Sequence, residues 1–254
     1  MIPLKDENPT ARRAVVTFAL VLACAGMWFF VQEGRAETEF TFEYAAIPCE
    51  VVEQEPLDEV EIRATLQGDD EACGLRADGS DELFPDKSVW FSLIVSMFLH
   101  GSLLHLGGNL LYLWIFGNNV EDRLGHVAYL GFYLAGGVVA TLAHVAVNAD
   151  STVPLVGASG AIAAVMGAYL VWHPNARINT LVVFFLITVV RVRAKWLLGF
   201  WFVLQFFTGN DSGVAWMAHV GGFVFGVIGG LLIGPGRRMP RRDRPVLGDP
   251  YWSN

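Results

Sequence analysis

A serine set among the smallest residues of an apolar run is where chemistry could begin in this chain. The stretch LVGASGAIAAVMGAYL, residues 155–170, places Ser159 among Gly157, Ala158 and Gly160 and is otherwise apolar. Other apolar runs hold His100, His105, Asn109, His144 and His219. A hydroxyl is a poor nucleophile until a base takes its proton, and a neutral histidine can do that near pH 7. Asn and His donors can stabilise the oxyanion that then develops. The set is therefore capable of acyl transfer. Packing alone also explains a Gly/Ala/Ser-rich helix, and a single histidine such as His144 is expected to bond a neighbouring helix. His100, nearer a run's end, is expected to be a structural hydrogen bonder.

Missing residues narrow the chemistry. No Asp or Glu stands in the middle of an apolar run. That argues against a paired-carboxylate protease and against transport coupled through buried acids. HExxH is absent, and no Cys/His cluster has zinc-ligand spacing, so no metal and no cofactor is expected. With no carboxylate to orient His219, the arrangement expected is a Ser–His dyad.

The elements that must position these groups are membrane spans. The chain has 254 residues, 54% of them hydrophobic, and a mean hydropathy of +0.44. Residues 14–32, 89–117, 127–147, 155–172, 179–190, 196–207 and 214–234 are nearly free of charge. Several approach the roughly 20 residues needed to cross a hydrocarbon core. The first block is too long in its apolar part, and lacks a small-x-small site, for a cleavable signal peptide. Lys5, Arg12 and Arg13 precede the first block and Arg237, Arg238, Arg241, Arg242 and Arg244 follow the last. Both ends are thus expected in the cytoplasm, which requires an even number of crossings. Block 179–190, flanked by Arg177 and by Arg191, Arg193 and Lys195, reads as a re-entrant or interfacial segment on the cytoplasmic side.

The expected fold class is an all-α, polytopic bundle of six transmembrane helices in the cell membrane. Residues 1–13 form a cytoplasmic N-terminus, 14–234 the membrane domain and 235–254 a basic cytoplasmic tail. Residues 33–88 form an acidic, solvated outer loop that accounts for the net charge of −8. The turn Gly117–Gly125 is then cytoplasmic, and Asn148–Pro154 and Thr208–Gly213 are outer loops. Cys49 and Cys73 share the outer loop, where an oxidising compartment permits a disulfide or leaves two thiols. The lipid bilayer is the one partner composition implies; no nucleic acid is expected.

Depth brings the polar groups together. Ser159 to Trp172 is about 20 Å of helix and His219 to Gly234 about 22 Å, so both side chains lie about 8–10 Å below the outer edge of the core. Ser159, Ala163 and Gly167 on one helix, and Gly222, Gly226 and Gly230 on the other, form small-residue faces that permit close approach. His105 and Asn109 share a face by their i, i+4 spacing, near the same depth. A helix starting at Ser159 aims its unpaired N–H groups at the nucleophile. Gly157 and Gly160 leave room for a substrate backbone.

The motifs HGSLLHLGGN, GASG, AHVGGFVFG and GNNVEDRLG resemble those of the rhomboid intramembrane serine proteases, in combination and across nearly the whole chain. The resemblance implies a serine endopeptidase with Ser159 as nucleophile and His219 as general base. It implies an oxyanion site of His105, Asn109 and the Ser159 amide. It also implies a loop shaped by Gly157 and Ala158, structural roles for Glu121 and Arg123, and single-span membrane proteins as substrates. Two positions depart from the family. Trp90-Phe91-Ser92 lacks the arginine that often follows the tryptophan, and Ala163 stands where an aromatic commonly packs on the histidine. A non-catalytic rhomboid-like binder of membrane helices is the alternative, though such relatives usually lack the serine or histidine. A small-solute channel would need polar residues through the cytoplasmic half of spans that have essentially none.

Overall fold

The computed structural model describes residues 1–32, 37–76, 80–183, 187–208 and 214–234. The expected basic tail and most of the 208–213 loop lie outside the described residues. Strand β1 (Ile2–Asp6) leads into α1 (Val15–Gly26), which continues as a π-helical stretch to Gln32. Short helices α2 (Glu37–Tyr44), α3 (Pro48–Glu53) and α4 (Glu59–Leu66) precede α5 (Val89–Val95). Then come α6 (Leu103–Leu124), α7 (His126–Val145) and α8 (Ser159–Trp172). Strands β2 (Arg177–Val183) and β3 (Ile187–Arg193) separate them from α9 (Ala194–Gln205) and α10 (Trp216–Ile233).

Among the described residues, Val15–Gln32, His126–Val145 and Trp216–Ile233 are helical stretches long and apolar enough to cross a membrane. The α5 region and α6 form a fourth candidate, bent by 82°. The bend falls where Ser102 Oγ accepts from the His105 amide at 3.1 Å and so starts α6. Helix α8 has 14 residues and sits at the centre, with Gly160 to Tyr169 all buried.

Close approach of α8 and α10 rests on missing side chains. A Cβ on Gly226 would lie 1.9 Å from the Ala164 carbonyl oxygen, and one on Gly222 2.1 Å from that of Gly160. The α10 face is the expected one. On α8 the expected Gly167 makes contact, but its companions are Gly160 and Ala164 rather than Ser159 and Ala163. That small rotation leaves Ser159 at the edge of the contact.

The all-α expectation is corrected at one place. Arg177–Val183 and Ile187–Arg193 pair as antiparallel strands, and β1 adds to them in the order β1-β2-β3. A 12-residue apolar run reads equally as helix or strand by its length, but Val, Ile and Thr dominate this one and favour the pleated surface. The hairpin is joined to the bundle. Asp6 Oδ2 accepts from Tyr169 OH at 3.0 Å and from Asn119 Nδ2 at 2.5 Å. Asn8 reaches Asn119 at 2.7 Å and the His173 ring at 3.1 Å.

Glu121 and Arg123 fasten the same end. The Glu121 carboxylate accepts from the Val16 and Thr17 amides at 2.8 and 2.7 Å and from Thr17 Oγ1 at 2.6 Å. It thereby satisfies orphan donors in the first turn of α1. Arg123 lies 4.4 Å from the centre of the Trp172 ring and donates to the Gly234 carbonyl.

The described part of 33–88, expected as a solvated loop, is folded at the opposite end. Phe42, Ile47, Cys49, Leu57 and Ile62 form a small core, and Cys49 and Cys73 are disulfide-bonded. Asp58 caps α4, accepting from the Glu61 amide at 2.8 Å while Glu61 accepts from the Asp58 amide at 3.0 Å. Lys87 and Glu50 make an ion pair at 2.5 Å, with side chains only 1% and 2% exposed. Burial pushes the Glu50 carboxyl up and the Lys87 ammonium down, each partly countered by the other's charge.

Candidate active site

Ser159 is the first residue of α8 and His219 lies in the first turn of α10. Their side chains meet with Ser159 Oγ 2.8 Å from His219 Nε2. The ring's other nitrogen, Nδ1, is 2.7 Å from Gln205 Oε1, at the end of α9. Ala163 offers no ring to His219. Instead Trp201, one turn before Gln205, lies 5.7 Å from it, centroid to centroid. The histidine is thus held from α9, a contact the family pattern did not suggest.

The loop entering α8 is fixed by backbone bonds. Leu155 N–H donates to the Ala46 carbonyl at 2.8 Å and Gly157 N–H to the Ser96 carbonyl at 2.9 Å. Ser96 Oγ in turn accepts from the Ala46 amide at 2.6 Å. Gly157 has φ +125°, and a Cβ there would lie 2.8 Å from the His105 ring and 3.5 Å from Asn109 Nδ2. Only glycine serves both the conformation and the approach. At Gly160 a Cβ would lie 2.7 Å from Ala140 Cβ, so this glycine serves helix packing.

His105 and Asn109 therefore stand against the loop that ends in Ser159. Asn109 is buried, and among the described residues its Nδ2 has no hydrogen-bond partner. His100 sits edge-on to His105 at 5.3 Å between centroids. Its backbone is clamped by Gln32, which donates to the His100 carbonyl at 2.6 Å and accepts from its amide at 3.1 Å. Trp90 and Phe91 are exposed on α5, whereas Ser92 is buried with Oγ 2.6 Å from the Val89 carbonyl.

Ser159, His219, His105, Asn109, His144 and Trp201 all line one cavity of about 1420 Å³. Asp69, Asp70, Glu71 and Asp150 also line it, toward the disulfide-bonded segment. His144, expected to be a plain interhelical bonder, faces this cavity, with Nδ1 lacking a partner among the described residues. Gln205 was missed from sequence. Its one signal is a lone amide in the apolar block 196–207. Among the described residues, the one cluster with metal-like spacing joins Glu53 to the disulfide-bonded cysteines, none of which lines this cavity.

Residues 87–236 match the Rhomboid domain family model. The chain belongs to the rhomboid family. It is similar to Presenilin-associated rhomboid-like protein A, mitochondrial, of Danio rerio, at 31% identity over 63% of this chain and 41% of that protein. Rhomboid protein 1, mitochondrial, of Saccharomyces cerevisiae is 30% identical over 60% of this chain and 44% of its own length. Rhomboid protease GluP of Bacillus subtilis is 38% identical over 32% of this chain and 15% of that protein. The chain thus spans less than half of each of these relatives. Rhomboid membership fits the helical, membrane-suited architecture.

Proposed function

We propose that this rhomboid is an intramembrane serine endopeptidase that cleaves the membrane segments of single-span proteins. The observation that carries the reading is the 2.8 Å contact of Ser159 Oγ with His219 Nε2 in a cavity that Asn109 and His105 also line. Ser159 Oγ–H donates to His219 Nε2. As Oγ bonds to the scissile carbonyl carbon, the proton passes to Nε2 and the carbonyl oxygen becomes an oxyanion. The Ser159 N–H, in the first turn of α8 where donors lack an intrahelical acceptor, donates to it. Asn109 Nδ2, without a partner among the described residues, and His105 complete the oxyanion site. The imidazolium then returns its proton to the leaving amine. Water hydrolyses the acyl-enzyme by the same steps, with His219 again as base. Gly157 leaves space for the peptide backbone; Gly160 and His100 support the frame.

In this reading α1, α6, α7, α8, α9 and α10 are the six crossings of residues 14–234, and both termini face the cytoplasm. The folded, described part of 33–88 and the cavity mouth face outward. The cell membrane is the expected location, and no cofactor takes part. Purified protein in liposomes, given a single-span substrate, tests the reading. Cleavage within the substrate's membrane segment, unchanged by a chelator, is expected; failure to cut any such substrate favours a helix-binding role.

A further inference from the structure

The geometry points to Gln205 as a positioning residue that fixes the tautomer and orientation of His219; this rests on the protease reading above. A dyad histidine must present an unprotonated Nε2 to the serine, and nothing in a bare imidazole decides which nitrogen keeps the proton. Here the neighbours decide it. Gln205 Nε2 donates to the Trp201 carbonyl at 2.8 Å. The amide therefore turns its Oε1, which can only accept, toward His219 Nδ1 at 2.7 Å. Nδ1 must then carry the hydrogen, and Nε2 is left as the acceptor for Ser159 Oγ–H at 2.8 Å.

Gln205 is buried, so water competes poorly for these bonds. Trp201 comes from the same helix and packs beside the ring, which limits its swing. The line Trp201 carbonyl, Gln205 amide, His219, Ser159 has the layout of a hydrolytic triad, with a neutral amide where an acid commonly stands. A neutral acceptor orients the ring without the cost of burying a charge at membrane depth.

The test compares wild type, Gln205→Met and Gln205→Glu as full-length protein in detergent micelles. Readouts are kcat and KM on a single-span substrate, fluorophosphonate labelling of Ser159, the thermal midpoint and the pH profile. Methionine matches glutamine in length but offers no strong acceptor. It should lower kcat and the labelling rate about ten- to a hundredfold while KM stays within about twofold. Glutamate restores an acceptor and should recover part of the labelling rate. Its charge favours imidazolium, so activity on the acid side should be lost at higher pH than in wild type. Other titratable groups lining this cavity are His105 and Tyr112 on α6 and His144 on α7, with Asp69, Asp70, Glu71 and Asp150 beside them; all are common to the three proteins.

Wild-type kcat and labelling in Gln205→Met would overturn the inference. So would losses in both variants that track a raised KM or a lowered thermal midpoint, since packing alone would explain them. If wild type itself neither cuts substrate nor takes the label, the protease reading fails first and takes this one with it.

Discussion

Asn109 is the residue whose surroundings say most about its use. Its buried amide donor has no partner among the described residues, which costs free energy; in the proposed mechanism it is held ready for the oxyanion. Asn109→Ala should lower kcat by about 10²–10³, or roughly 2.7–4 kcal/mol, with little change in KM; steady-state kinetics on a single-span substrate checks the split. Lys87 and Glu50 illustrate the opposite case, a charge pair buried without catalytic use. Lys87→Met should destabilise the outer segment by about 3–5 kcal/mol, because Glu50 is left uncompensated, whereas Lys87→Met with Glu50→Gln should cost much less. The sign of the pH dependence follows from burial. Glu50 binds its proton more tightly folded than unfolded, so its contribution is present below about 4.5 and lost as pH rises. Lys87 binds its proton less tightly folded, so its contribution is present above 10.5 and lost as pH falls. Thermal midpoints of wild type relative to the double variant should accordingly be lowest near neutral pH. Sequence indicated Ser159, His219, His105 and Asn109 because helix rise gave them one depth. It did not indicate Gln205, since a polar residue near the end of a short apolar run reads as one that meets water.

At the scale of elements, α8 and α10 are fitted by backbone against backbone. Gly226→Ala would drive a Cβ into the Ala164 carbonyl, which belongs to a main chain that cannot turn aside. Overpacking of this kind costs about 1–3 kcal/mol, and the thermal midpoint in detergent should fall with it. Gly131→Ala, with open space at its Cβ, should leave the midpoint nearly unchanged and serves as the control. The glycine spacing on α10 was legible because small residues every four positions mark a contact face. The hairpin was not. Its central run is apolar throughout, and what makes it a sheet is partly β1, an element 172–179 residues earlier in the chain that pairs Ile2 with Leu181 and Asp6 with Ile178. No local pattern carries that information. The folded outer segment was hidden for a related reason. Its acids suggest solvation, while the disulfide and the buried pair of Glu50 with Lys87 join positions far apart in sequence.

At the scale of the whole molecule, two differently built ends brace one helical bundle. The sheet, Glu121 and Arg123 fasten the end where β1 enters. The disulfide-bonded segment and the Ser96 bonds fasten the end that holds Ser159, His219 and the cavity. The candidate catalytic groups Ser159, His219, His105 and Asn109 share one cavity at that end, as the proposed protease, admitting water from a single side, requires. The central claim is that this cavity cuts peptide bonds through Ser159. Its most direct measurement is cleavage of a reconstituted single-span substrate by wild type and by Ser159→Ala, with a serine-directed fluorophosphonate as a second readout. Alanine fits among Gly157, Ala158 and Gly160, so the variant should keep the wild-type thermal midpoint while losing both cleavage and labelling. Full cleavage by a well-folded Ser159→Ala protein would contradict the mechanism.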